Sequence, residues 1–214
     1  MNKKAQPNFN YEIDLEKNNG IIAGVDEVGR GCIAGPIVAC AVVFQDYEKI
    51  KKKLKGVTDS KKLTAKKREE LDLVIRKHAA DFAIGMSTVE EIDTIGIGAA
   101  NILAFKRALD SLKRCDYALI DGRKFRGFEY RYLCLEKGEL KSLSIAAASI
   151  VAKVFRDKLM GDIHPECPEY DFLSNKGYGG KSHYQALEKL GPSTHHRKTF
   201  LRKFEEHKSQ SSLF

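Results

Sequence analysis

The stretch Ile21-Ile-Ala-Gly-Val-Asp-Glu-Val28, followed by Gly29-Arg-Gly-Cys-Ile-Ala-Gly-Pro36, decides how this chain is read. Its first half is an apolar run rich in β-branched residues and closed by glycines, the pattern of a strand. Asp26 and Glu27 sit inside that run. A carboxylate pair in an apolar strand is costly to bury unless it is protonated, hydrogen-bonded or bound to a cation. Ile37 to Phe44 is a second apolar run, so the glycine-rich and proline-containing segment between them reads as a connection between two strands.

Outward from this pair, Thr64 is placed to cap a helix running to about Ala80, with Leu71, Val74, Ile75 and His78 on one face. Phe82 to Val89 reads as a third strand, and Ala99 to Leu112 as a helix with apolar residues recurring near every 3.6 positions. Tyr117 to Ile120 predicts a fourth strand ending at Asp121-Gly122, and Tyr130 to Leu135 a fifth. Ser144 to Met160 is a helix of small residues able to lie close against a sheet. Three strands and then alternating helix and strand predict a mixed α/β sheet. Beyond Pro165 a helix is expected from about Ser182 to Leu190. The basic segment Pro192 to Lys208 reads as a separate subdomain or as a helical extension, and the lack of linker composition before it favours the extension.

The chain has 214 residues, 43% hydrophobic and 31% charged. That composition excludes a small disulfide-stapled scaffold, a disordered chain and a membrane-embedded one. A formal net charge of +8 creates a field that attracts polyanions, nucleic acid first among them. Five cysteines (Cys32, Cys40, Cys115, Cys134, Cys167) contain no C-x-x-C pair, so they read as small buried hydrophobes in a reducing compartment. Residues 1–20 are polar without an apolar signal region, and the longest apolar stretches fall short of a membrane span. A cytoplasmic protein is expected. The basic run Lys49 to Lys55 reads as a solvated, flexible face.

Asp121 ends an apolar strand, where α/β sheets present ligand-binding groups. Two carboxylate-bearing strand ends on a basic protein favour a hard cation, because clustered carboxylates repel unless neutralised. The histidines lack ligand spacing, so zinc is not indicated, and His183, His195 and His196 read as surface or phosphate-neighbouring residues. Gly29-Arg30-Gly31 would let the backbone approach a ligand while the guanidinium contacts phosphate. Asp59-Ser-Lys-Lys62 and Lys176-Gly-Tyr-Gly-Gly180 combine cations, a hydroxyl or an aromatic ring, and flexible backbone, as used along a nucleic-acid strand.

Together these segments resemble the ribonuclease HII family. The resemblance rests on Ile-Ala-Gly-Val-Asp-Glu-Val-Gly-Arg-Gly at 22 to 31, Ala-Gly-Pro at 34 to 36, Asp-Ser-Lys-Lys-Leu at 59 to 63 and Leu-Ile-Asp-Gly at 119 to 122. It continues with Ser-Ile-Ala-Ala-Ala-Ser-Ile-Val-Ala-Lys-Val at 144 to 154, Arg156-Asp157, Lys-Gly-Tyr at 176 to 178, His183 and His196-Arg197. It implies an α/β, RNase H-like fold: a five-stranded mixed sheet flanked by helices, with a C-terminal helical extension. Residues 1–20 would be a polar N-terminal tail, 21–163 the catalytic domain and 164–214 a C-terminal helical segment contributing to nucleic-acid binding.

The resemblance further implies a monomeric endonuclease, unattached to membranes, that cuts the RNA strand of RNA/DNA hybrids and nicks 5′ of single ribonucleotides in duplex DNA. Asp26, Glu27, Asp121 and Glu139 would hold two ions, Mg²⁺ or Mn²⁺, and products would carry 3′-hydroxyl and 5′-phosphate ends. The family usually has Asp where this chain has Glu139. Backbone amides around Gly29, Arg30 and Gly31 would read the ribose 2′-hydroxyl. Tyr178 would pack against the neighbouring deoxynucleotide sugar, and Lys61, Lys62, Lys181 and Arg197 would contact phosphates. Two other readings stay open: a nucleic-acid binding protein of this fold with catalysis impaired at Glu139, and a Mg²⁺-dependent phosphohydrolase of small esters.

Overall fold

The computed structural model describes residues 6–211. Five strands, β1 (Ile22–Val28), β2 (Ile37–Val43), β3 (Asp81–Ser87), β4 (Tyr117–Asp121) and β5 (Tyr132–Leu135), form one sheet in the order β3-β2-β1-β4-β5. β2 runs antiparallel to both β1 and β3, while β1, β4 and β5 are parallel. The mixed sheet expected from the sequence is present. Around it lie α1 (Asn10–Asn19), α2 (Tyr47–Lys53), α3 (Ala65–His78), α4 (Val89–Asp110), α5 (Leu143–Ile163), α6 (Phe172–Asn175), α7 (Lys181–Leu190) and α8 (Lys198–Ser211). Among the described residues no helix is long and apolar enough to cross a membrane.

The period-2 alternation of β2 builds both layers of the core. Val38, Cys40 and Val42 face α3 and α5, against Leu71, Ile75 and the run Ala146 to Ala148. Ile37, Ala39, Ala41 and Val43 face α4, against Ala104, Phe105 and Ala108. Close approach of α5 to the sheet depends on Gly24. A Cβ there would stand 2.3 Å from the Ser144 carbonyl carbon and 2.5 Å from the Ile145 nitrogen. Both contacts are with backbone, so nothing nearby can give way.

Helix starts follow local chemistry. The Thr64 side chain accepts from the Lys67 N–H, and the Ser142 side chain from the Ile145 N–H. Thr88 and Glu91 form a reciprocal capping box. That box starts α4 ten residues earlier than the apolar period indicated, so Val89 begins a helix rather than ending β3. Gly96, at φ +80°, breaks the helical conformation between the two parts.

Two expectations are corrected here. The polar tail over 1–20 is helical at α1, and Phe9 is buried against Phe44 and Tyr47. Glu12, fully buried, accepts from the Ser142 hydroxyl at 2.6 Å and the Ser144 N–H at 3.0 Å, so α1 supplies an acceptor to the first turn of α5. A carboxylate buried for this purpose leaves no apolar signal in the sequence. The basic run, expected to be flexible, is largely helical as α2, tethered through the buried Tyr47. Residues 1–5 of the expected tail and 212–214 of the expected C-terminal segment lie outside the described residues. The helical extension takes the form of α8, whose first N–H groups, on Lys198 and Thr199, donate to Asp93 of α4.

The loop between β1 and β2 is held by two arginines that are both fully buried. Arg156 of α5 donates to the carbonyls of Pro36 at 2.9 Å, Ala34 at 3.0 Å and Lys176 at 2.7 Å. Arg197 donates to Gly35 at 2.9 Å, Gly29 at 2.8 Å and Arg30 at 3.2 Å. Arg197, expected to contact phosphate, therefore has its guanidinium committed inside the protein. Replacing it by Met leaves three carbonyls without their donor. Arg197→Met is expected to lose about 3 kcal/mol of unfolding free energy in urea denaturation, and wild-type stability would contradict the clamp. Gly24→Ala should lose about 2 kcal/mol or more in the same measurement, because α5 must lift from β1.

Candidate active site

Near its end β1 carries Asp26 and Glu27, and the alternation of the strand sends them to opposite faces. Asp26 joins Gly24 on the α5 side, where Ser149 reaches its carboxylate. Glu27 joins Val25 on the α4 side, where Asn101 reaches it. The parallel register pairs Val25 with Ile120, so the next residue on each strand is Asp26 and Asp121. Glu139 arrives on a short turn, Gly138–Leu140, after β5. That turn is latched to β4, because the Gly138 N–H donates to Asp121 Oδ1 at 2.6 Å. All four acidic residues line one cavity of about 110 Å³.

Electrostatics in this cavity are those of crowded, partly dehydrated acids. Burial pushes the Asp26 carboxyl well above its ordinary range, and the charges of Glu27 and Asp121 push the same way. Its hydrogen bonds with Ser149 and with the Glu27 N–H, at 2.7 Å, work in the opposite sense. Burial also raises Glu27, opposed first by the charge of Arg30. Glu139 is raised by burial and then by the charge of Asp121.

Among the described residues, no three Asp, Glu, His or Cys side chains stand close enough to enclose one ion as placed. Unneutralised carboxylates repel, and Asp26 and Glu27 leave their strand on opposite faces. The donor set nevertheless suits a divalent hard cation, being made of carboxylate oxygens. Glu139 Oε2 supplies the sharper sign: it is buried and has no hydrogen-bond partner. An anionic oxygen in that condition is poorly satisfied by the protein alone.

Other residues singled out in the sequence fall at various distances from this centre. Tyr178, 43% exposed, and Lys61 line the same cavity. Arg30, Gly31, Lys62 and Lys181 are exposed, and Lys62 pairs with Asp59 at 3.5 Å. Gly29 is buried at φ +91°, and a Cβ on it would lie 2.2 Å from Arg156 Nε. Lys181 opens α7 and is not part of the cavity wall. His183 and His196, expected at the surface, are buried and bonded to one another at 2.9 Å.

Four further residues reach the site without having been assigned a part in it. Asp59 and Ser149 line the cavity, and Ser149 bonds Ser60 at 2.9 Å. Lys153 lines it one turn further along α5, held by Asp157 at 2.7 Å, with its ammonium 5.6 Å from the Tyr178 ring centre. Asn101 is a buried polar residue in an otherwise apolar stretch of α4. That mismatch, a polar group on a core-facing position, was the available signal for both Asn101 and Ser149.

Comparison with known proteins shows the family of this chain. A family model described as Ribonuclease HII matches residues 23–205. The chain is 48% identical over 182 residues to a ribonuclease HII of Clostridioides difficile, covering 85% of this chain and 70% of that one. It is 46% identical over 197 residues to a ribonuclease HII of Wolbachia from Brugia malayi, covering 92% and 94%. In structure it is similar to the ribonuclease H2 of Pyrococcus horikoshii, with a TM-score of 0.73 at 27% identity, over 88% of this chain and 99% of that one. With the acidic strand ends in place and the match running through nearly the whole described chain, this protein belongs to the ribonuclease HII family of metal-dependent nucleases.

Proposed function

We propose that this protein is an endonuclease that hydrolyses the RNA strand of RNA/DNA hybrids and nicks 5′ of single ribonucleotides in duplex DNA, leaving 3′-hydroxyl and 5′-phosphate ends. It acts as a cytoplasmic monomer with two Mg²⁺ or Mn²⁺ ions held by Asp26, Glu27, Asp121 and Glu139. One observation carries the reading: carboxylates from three separate parts of the chain line one small cavity. Held by these residues, the ions would supply activation of a water and stabilisation of the leaving oxygen.

Each of the chain's own groups has a definable task. Asp26 and Asp121, side by side on parallel strands, present fixed oxygens, while Glu139 brings a longer arm on a latched turn. The longer side chain keeps an oxygen donor where the family usually has Asp. Since Arg197 occupies the carbonyls of Gly29 and Arg30, that edge of the loop faces inward. The N–H groups of Arg30 and Gly31 take no part in the loop's internal hydrogen bonds, which leaves them for a ribose 2′-hydroxyl. Tyr178 packs on the adjacent sugar, and Arg30, Lys61, Lys62 and Lys181 present cations to phosphates. Arg197 has no place among them.

Two outcomes are expected of Asp26→Asn. Nicking of a duplex with one ribonucleotide should fall more than about a hundredfold with Mg²⁺ on a denaturing gel, because a ligand charge is lost; near wild-type cutting would remove Asp26 from the centre. Without divalent ions the same variant should be more stable than wild type in urea at neutral pH. A carboxyl whose pKa is raised by folding costs stability once ionised, so this advantage should shrink as pH falls and wild-type Asp26 takes up its proton. An advantage that grows in acid would contradict the burial of charge at Asp26.

A further inference from the structure

Behind the Tyr178 loop, His183 of α7 and His196 touch through their Nε2 atoms at 2.9 Å. They are 0% and 1% exposed. The outer nitrogen of each ring has a partner whose role is unambiguous. His196 Nδ1 accepts the Ser193 backbone N–H at 3.0 Å, with the Ser193 hydroxyl also at that atom, 2.9 Å away. His183 Nδ1 meets the Tyr178 carbonyl at 2.8 Å, and a carbonyl can only accept. His196 is thus protonated on Nε2 alone, and His183 on Nδ1 alone. The Nε2 contact then holds one proton, given by His196 and accepted by His183, and the two ends of the chain require the same direction.

We propose that His183 and His196 are a positioning pair, two neutral imidazoles of opposite tautomer that transmit a one-way hydrogen-bond chain from the Ser193 amide to the Tyr178 carbonyl and so set where the Tyr178 ring stands beside the acidic cavity. The assignment rests on the reading of Tyr178 as the sugar-contacting residue. A third proton is excluded at both accepting nitrogens: on His196 Nδ1 it would meet the Ser193 N–H, and on His183 Nε2 it would meet the proton of its partner. The surroundings agree. Tyr170 and Phe172 pack their rings against both imidazoles, at centroid distances of 4.6 to 6.1 Å. The Tyr170 hydroxyl donates away, to Gly191. The neighbouring His195 is paired with Glu166 instead, and among the described residues neither buried imidazole is bonded to a carboxylate. Burial lowers the pKa of both, that of His196 to about 4. The Tyr178 carbonyl also accepts from the Gly180 N–H at 3.0 Å, so the histidine fills its second lone pair at the point where the chain turns into α7.

The test uses the full chain labelled with ¹⁵N. Long-range ¹H–¹⁵N correlation at neutral pH should show one imidazole protonated only at Nε2 and the other only at Nδ1, assigned by His196→Gln and His183→Gln. Two rings of the same tautomer, or a charged ring, would overturn the pair. In parallel, steady-state nicking of a one-ribonucleotide duplex is measured with Mg²⁺ for His183→Phe, Tyr178→Ala and the double variant. His183→Phe should raise KM about tenfold, the loss of one well-placed hydrogen bond, with kcat little changed. In the Tyr178→Ala background it should add nothing further. Multiplying effects would overturn the positioning role while leaving Tyr178 in the site. A Tyr178→Ala variant with wild-type KM would remove the sugar contact and the positioning role together, while the tautomer pattern still stands or falls on the spectrum of the unmutated protein.

Discussion

The loop from Gly29 to Pro36 is gripped by its carbonyl oxygens through Arg156 and Arg197, and among the described residues neither guanidinium bonds a carboxylate. A buried cation is tolerated only when its donors are satisfied, and carbonyl dipoles do this without adding a competing negative charge near the acidic cavity. Burial lowers the pKa of Arg197 to about 10, which leaves it charged at neutral pH. The arrangement has a directional consequence. With its carbonyls drawn inward, the glycine-rich loop turns part of its amide edge outward, next to the end of the strand that bears Asp26 and Glu27.

Helix α5 joins this clamp to the acidic centre. Ser149, Lys153 and Arg156 occur on successive turns of it, so one rigid element supports the carboxylate of Asp26, the wall beside Tyr178 and the loop. Its own position is set at the other end, by the bare backbone of Gly24 and by the buried Glu12 at its first turn. The acidic cavity works against stability, since burial and mutual repulsion raise the acids of its wall. Divalent ions binding there would relieve the repulsion, so stability and metal affinity are linked through the same oxygens.

Much of this was legible before any coordinates. The five strands announced themselves through β-branched runs and turn residues, and Thr64 through its capping chemistry. Asp26, Glu27 and Asp121 stood out because an ionisable group at the end of an apolar strand conflicts with its surroundings. Glu139 had no such contrast and was placed by resemblance to a family. Its nearness to Asp121 comes from the pairing of β5 with β4, which sets Leu135 beside Asp121, and from the Gly138 hydrogen bond across 17 residues. Glu12, α1 and the first part of α4 were missed for a related reason. In α1 the apolar contacts come from only Ile13 and Leu15, with Phe9 just before it, too few to show a period, and the first part of α4 lies across Gly96 from the rest.

Arg197 and the two histidines mark the boundary. A basic residue in a basic segment reads as a phosphate contact, and nothing local distinguishes it from one turned inward. Composition and pattern alone determined the strands, the capped helices and the acid-bearing strand ends, because each is decided by interactions within a few residues. Tertiary structure alone decided which cations face solvent, which proton each imidazole keeps and how the Gly29 loop is oriented. Those outcomes depend on burial, which exists only once the chain has closed: Arg197 meets carbonyls more than 160 residues away, and the imidazoles, whose partners are near in sequence, lose water only when Tyr170 and Phe172 pack over them.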